Sequence, residues 1–154
     1  MKVLFLDVDG VLNCRDTTQR FKGSTGIDNR HLMILSKITD EIEDLEIVVS
    51  STWRCHPDFL DHLKDSLSFI GAEVFDVTPD MWKQNRSEGR GFEVQVWLDA
   101  HPEVTRFACI DDDGDFLPTQ KLFRTMWSSG LTEEIADQII SFFKEEDVAV
   151  PSST

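Results

Sequence analysis

The sequence predicts an α/β fold, a three-layer Rossmann-like parallel sheet covered by helices on both faces. Three observations lead there. Short apolar runs of strand length alternate with longer segments whose apolar residues recur at helical spacing. Two of the runs end in grouped carboxylates: Asp7 and Asp9 after the first, Asp111, Asp112, Asp113 and Asp115 after a later one. In open α/β sheets, ligands gather outside the carboxyl ends of the strands. Finally, 154 residues with 40% hydrophobic content, including eleven Phe and four Trp, suffice for one buried core, so residues 1–154 are read as one domain.

Lys2 to Leu6 is the first strand, an apolar run closed by Asp7-Val8-Asp9-Gly10. Strand periodicity of two places Asp7 and Asp9 on one face, and Gly10 lets the backbone turn sharply. Residues 13–27 are polar and read as a loop. Asp28 reads as an N-cap, followed by the helical stripe Leu32, Leu35, Ile38 and Ile42. Glu46 to Ser50 is the second strand. Pro57 suits a first helical turn, and Phe59, Leu60, Leu63 and Leu67 carry that helix until Gly71. Glu73 to Val77 is a third strand, and 78–91 a locally basic loop. Val94, Trp97 and Leu98 mark a helix ending before Pro102. Thr105 to Ile110 is the fourth strand and Leu122 to Met126 the fifth. Thr132 caps a last helix with Ile135, Ile139, Ile140 and Phe143 inward, and the tail from Pro151 frays.

The net charge of -14 argues against broad duplex binding, where a basic face dominates. Most of the acid reads as solvated helix surface; the two carboxylate groups are different in kind. Cys14, Cys55 and Cys109 form no C-x-x-C and no even framework, so they read as reduced thiols. The N-terminal apolar run is too short for a signal peptide, and no stretch reaches the ~20 apolar residues of a membrane span. A cytoplasmic location is the expectation. His56 and His62, near Asp58 and Asp61, are read as helix-surface residues, and no zinc is expected.

Four pieces gather at strand ends or on a loop within reach: Asp7 to Val11, Val49 to Arg54, Arg90 ahead of a helix, and Ile110 to Asp113. Phosphoryl transfer from an ester needs an in-line nucleophile, a proton donor for the leaving oxygen and positive charge around the transferred group. A carboxylate serves as nucleophile by forming an aspartyl-phosphate. Two anions approach only when neutralised, which implies Mg2+ held by Asp7 and one or two of Asp111 to Asp113. Asp9 is then free as general acid and base, Ser51 donates to a phosphate oxygen, and Arg90 neutralises developing charge. Ser50 takes the place of Ser51 if the register slips by one residue, and Lys83 and Arg86 share the loop of Arg90. Asp113 and Asp115 are either supports of the site or turn residues.

Together Asp7-Val8-Asp9-Gly10-Val11, Ser51, Arg90 and Asp111-Asp112 resemble the haloacid dehalogenase (HAD) superfamily of magnesium-dependent phosphatases, over nearly the whole chain. The resemblance implies that Asp7 is the nucleophile, Asp9 the acid/base, and Asp111 and Asp112 magnesium ligands, helped by the backbone carbonyl of Asp9. Ser50-Ser51-Thr52-Trp53-Arg54, Glu93-Val94 with Trp97-Leu98, Asp111-Asp112-Asp113 and Gly130-Leu131-Thr132 look like the branch found in RNA repair proteins and near polynucleotide kinase phosphatases. The segments between motifs are too short for a large cap domain. By resemblance, an open site suits a bulky substrate such as a phosphorylated polynucleotide end, while the acidic charge favours a nucleotide. Gly10, Thr52, Trp53 and Arg54 are the expected substrate contacts. Either Trp53 and Trp82 stack on a base and Arg54 holds a second phosphate, or Trp53 packs beneath its loop and Trp82 covers the sheet. Arg15, Arg20 and Lys22 add to a basic rim. The alternatives outside catalysis are a phosphate- or metal-binding module of the same fold and a receiver-like signalling domain; Asp9 speaks against the latter.

Overall fold

The computed structural model describes residues 1–82 and 89–145. Among the described residues, seven strands and four α-helices follow in chain order: β1 (Lys2–Leu6), β2 (Arg20–Phe21), β3 (Ser24–Thr25), α1 (Asn29–Glu41), β4 (Leu45–Val49), α2 (Pro57–Ser68), β5 (Val74–Val77), α3 (Gly89–Asp99), β6 (Arg106–Asp111), β7 (Leu122–Arg124) and α4 (Glu133–Glu145). Five of the strands form one sheet in the order β5-β4-β1-β6-β7, every pair parallel. The expected α/β sheet of Rossmann type is therefore present.

β1 sits at the centre because its residues are apolar on both sides. Val3 and Phe5 pack with Val94 and Trp97 of α3, and Trp97 meets Phe5 edge-on at 5.5 Å. Leu4 and Leu6 belong to the opposite layer, with Leu32, Leu35 and Ile38 of α1, Leu63 and Leu67 of α2, and Ile139 and Phe143 of α4. Burial of each such side chain contributes about 1.5–3 kcal/mol. Among the described residues, no helix is long and apolar enough to cross a membrane.

The local signals act as expected where they depend on near neighbours. Asp28 caps α1, accepting from the Arg30 backbone N–H, and Pro57 opens α2. Three expectations need correction. The loop 13–27 contains the β2–β3 hairpin, turned at Lys22 and Gly23, both at positive φ. That is the turn chemistry of a tight hairpin, but two-residue strands leave no alternation to read. The fifth strand stops at Arg124, because Thr125 turns its hydroxyl back to the Gly10 carbonyl at 2.5 Å. Asp7 and Asp9 do not share a strand face: β1 ends at Leu6, and the amides of Val11 and Leu12 fold back onto the Val8 carbonyl. Asp7 is buried and Asp9 is exposed.

Sheet order determines what meets at the carboxyl edge. β4 and β6 flank β1, and the ladder continues one step beyond each strand. The Asp7 amide donates to the Ile110 carbonyl at 3.1 Å, and the Ser50 amide donates to the Leu6 carbonyl at 3.0 Å. Asp7, Ser50 and Asp111 are thereby fixed side by side.

Candidate active site

Asp7, Asp111 and Asp112 each present a carboxylate oxygen, and those oxygens lie within 4.8 Å of one another. Burial raises Asp111 well above the usual carboxylate range and the charge of Asp7 adds to this, while Arg90 opposes it. Burial raises Asp7 too, again opposed by Arg90. Arg90 reaches in from the first turn of α3, 3.6 Å from both Asp7 Oδ1 and Asp111 Oδ2. Burial disfavours its charge, but Asp7, Asp111, Asp115 and Glu93 overcome that and hold it cationic. One guanidinium thus serves several carboxylates, and the cluster retains excess negative charge.

The donor set fits a cation. Asp111 Oδ2 is buried with no hydrogen-bond partner among the described residues. Three hard carboxylate oxygens converging on one point suit a small divalent cation that takes oxygen ligands. Gly10 makes room for the set: a Cβ there would run into the Asp112 carboxylate, and its φ of 82° is one that L side chains rarely adopt. Asp112 is secured from behind, where Arg124 Nε donates to its backbone carbonyl at 3.2 Å.

Asp9 stands apart from this cluster. Its Oδ1 accepts from Asn13 Nδ2 at 2.9 Å and its Oδ2 from the Trp53 indole N–H at 3.2 Å. The Asp9 side chain is not among the three grouped carboxylates, and the metal role implied by resemblance concerns its backbone carbonyl. Asp113 and Asp115 support the site. The Asp113 amide donates to Asp111 Oδ1, and Asp115 Oδ2 accepts the Arg90 amide at 3.0 Å, closing the first turn of α3 that carries Arg90.

Ser51 Oγ accepts the Trp53 amide and caps a 3-10 turn at Thr52–Cys55, which leaves its O–H free to donate elsewhere. The Ser50 carbonyl accepts from Arg90 Nη1 at 2.6 Å, and its buried hydroxyl has no partner among the described residues. Thr52 is exposed and lines a cavity of about 560 Å³ with Trp82, Arg90, Asp80, Asp113 and Asp115. That cavity shares Arg90 with the carboxylate cluster and so adjoins it.

Two expected substrate contacts are engaged within the protein. Trp53 is only 4% exposed, packed edge-on against Phe59 at 4.9 Å and stacked with Phe21. The packed alternative therefore describes it, with its N–H aimed at Asp9. Arg54 directs its guanidinium at the carbonyls of Thr78, Ser50, Ser51 and Pro79, and pairs with Glu93 at 3.0 Å. All five N–H donors are used, which ties the 3-10 turn to α3. His62 stacks on Phe21 at 4.2 Å. Lys83 and Arg86 lie outside the described residues.

Sequence reasoning passed over Asn13 and Thr125. Asn13, fully buried, accepts the Gly10 amide and donates to Asp9 and to the Gly26 carbonyl. Its only signal was a polar residue closing the apolar pair Val11-Leu12.

Comparison with curated proteins and with solved structures finds no match. The family model for the HAD domain in Swiss Army Knife RNA repair proteins matches residues 3–136, a span running from β1 into α4 that takes in every residue of the carboxylate cluster. The chain belongs to that family of HAD domains.

Proposed function

We propose that the protein is a magnesium-dependent phosphomonoester hydrolase acting through an aspartyl-phosphate, with a nucleic-acid 3′-phosphate end or a nucleotide as substrate. One observation carries the reading. A buried carboxylate at the end of the central strand, Asp7, lies 3.6 Å from a guanidinium and clusters with Asp111 and Asp112, while Asp9 is exposed two residues on.

Asp7, Asp111 and Asp112 would hold Mg2+, which when bound supplies the positive charge that lets an anionic ester approach a carboxylate. The remaining chemistry belongs to the side chains. Asp7 attacks phosphorus, and the bond to the leaving oxygen breaks as Asp9 gives that oxygen its proton. Asp9, now ionised, takes a proton from a water whose oxygen attacks phosphorus and releases Asp7. Arg90 bears the charge that builds on the phosphoryl oxygens, and Ser51 donates a hydrogen bond to one of them. The adjoining cavity, with Thr52 on its wall, leaves room for the alcohol half of the ester.

The test is phosphate release with Mg2+ from a 3′-phosphorylated oligonucleotide and from mononucleotides, with Asp7→Asn alongside. Release that is lost in the variant and abolished by chelation supports the reading, and the faster substrate names the class. A variant that releases phosphate as fast as the wild type would overturn it. No release from either substrate would favour a module that binds phosphate or metal without turnover.

A further inference from the structure

We propose that Trp53 and Asn13 are positioning residues that hold the Asp9 carboxylate in a single orientation for proton transfer, an inference that rests on the phosphatase reading above. Each Asp9 oxygen receives one N–H, from Asn13 at 2.9 Å and from Trp53 at 3.2 Å. Neither donor can turn away. The Asn13 amide is fixed because its oxygen accepts the Gly10 backbone N–H, a group that only donates, so the nitrogen must face Asp9 and the Gly26 carbonyl. The Trp53 indole is locked by Phe59 on one side and Phe21 on another.

Phe21 belongs to the β2–β3 hairpin, which is held against α2 by the stacking of Phe21 on His62 and by the ion pair of Lys22 with Asp58. The hairpin therefore forms the wall that keeps the indole aimed at Asp9. Each carboxylate oxygen accepts one N–H from a buried donor and has a second lone pair available for a proton, and Asp9 is exposed. An unheld aspartate would rotate, and a misplacement of about 1 Å at a reacting group can cost roughly 100-fold in rate.

The consequence depends on the leaving group, which separates positioning from mere support of the fold. A nucleoside 3′-monophosphate loses a sugar alkoxide that must be protonated as it departs. p-Nitrophenyl phosphate loses a stable phenolate that needs no proton. Trp53→Phe keeps the ring packing and deletes the N–H. It should lower kcat/KM for the nucleoside 3′-monophosphate about 10-fold and for p-nitrophenyl phosphate by no more than about twofold. Asn13→Ala, which removes the other donor without burying a second carboxylate beside Asp9, should act in the same direction.

Equal losses on both substrates, or no loss, would overturn the proposal. A second readout needs no turnover: the Trp53 indole N–H resonance should move between the wild type and Asp9→Ala, and an unmoved resonance would overturn the hydrogen bond itself. Wild-type protein inactive on both esters would overturn the phosphatase reading and the proton-transfer role with it. The indole resonance would then still decide whether Asp9 is held.

Discussion

Asp111→Asn should make the metal-free protein more stable while removing its response to Mg2+. Asp7 and Asp111 bury two carboxylates against one guanidinium, with Arg90 3.6 Å from each. Their oxygens lie within 4.8 Å, where like charges repel by on the order of 3–4 kcal/mol at an effective dielectric near 20. The attraction of Asp111 to Arg90 is of similar size, so the two nearly cancel. What remains is the cost of burying a carboxylate whose Oδ2 has no hydrogen-bond partner among the described residues, about 1–3 kcal/mol. The folded protein relieves this by keeping Asp111 protonated, and replacing the acid with an amide that never ionises should return a cost of that order, a rise in Tm of about 3–10 °C. The pH dependence has a definite sign. The unfolded chain gives up this proton near the ordinary value of 3.8, whereas the folded protein keeps it to higher pH. The folded state thus binds more protons, and metal-free stability falls as pH rises from about 4 towards the raised folded value. Urea denaturation in chelator between about pH 5 and pH 8 would show a shallower fall in the variant. Added Mg2+ should stabilise the wild type and leave the variant nearly unchanged. A variant less stable than the wild type without metal, or one with an undiminished pH slope, would refute this reasoning.

Three further outcomes follow from single contacts. Gly10→Ala forces a side chain against Asp112 at a φ of 82°, and should cost about 1–3 kcal/mol in urea unfolding while weakening Mg2+ binding by calorimetry. Arg54→Ala strands Glu93 and four backbone carbonyls, and should cost about 3–5 kcal/mol, read from the denaturation midpoint. Asp28→Ala removes the cap of α1 and a partner of Thr17 and Arg30, and should cost about 1–2 kcal/mol at neutral pH. The hydrogen bond from Arg30 holds Asp28 well below the usual carboxylate range, so its contribution is full above about pH 4 and fades as acid protonates it. The wild type and the Asp28→Ala variant should therefore converge in stability at low pH.

How much of this was legible in the sequence depends on the reach of each contact. The Asp28 cap and Pro57 opening act within a few residues, and the helical stripes and strand runs report burial along one element. Those signals gave the sheet, the helices and the carboxylate groups at the strand ends. The Trp53 indole meets Asp9 across 44 residues, and the Thr125 hydroxyl meets the Gly10 carbonyl across 115. Both contacts exist only once β1 lies between β4 and β6, so no local pattern encodes them. Trp53 shows the difference plainly. Its side chain suited either a stacking face or a packed position, and the hairpin that settles it for packing has strands of two residues, too short to register as periodicity. Arg54 looked like a spare cation because the carbonyls it binds, at Thr78 and Pro79, belong to a segment that becomes its neighbour only through sheet order.

A phosphoryl group carried by Asp7 can be trapped there. Protein mixed with a 3′-phosphorylated oligonucleotide labelled in the phosphate, with Mg2+ present, would be quenched in acid within the first turnover. Label should be bound to the protein through an acyl linkage that hydroxylamine cleaves, mapping to Asp7 and absent from Asp7→Asn. Rapid phosphate release by the wild type with no label on the protein, or with label on a residue other than Asp7, would contradict it.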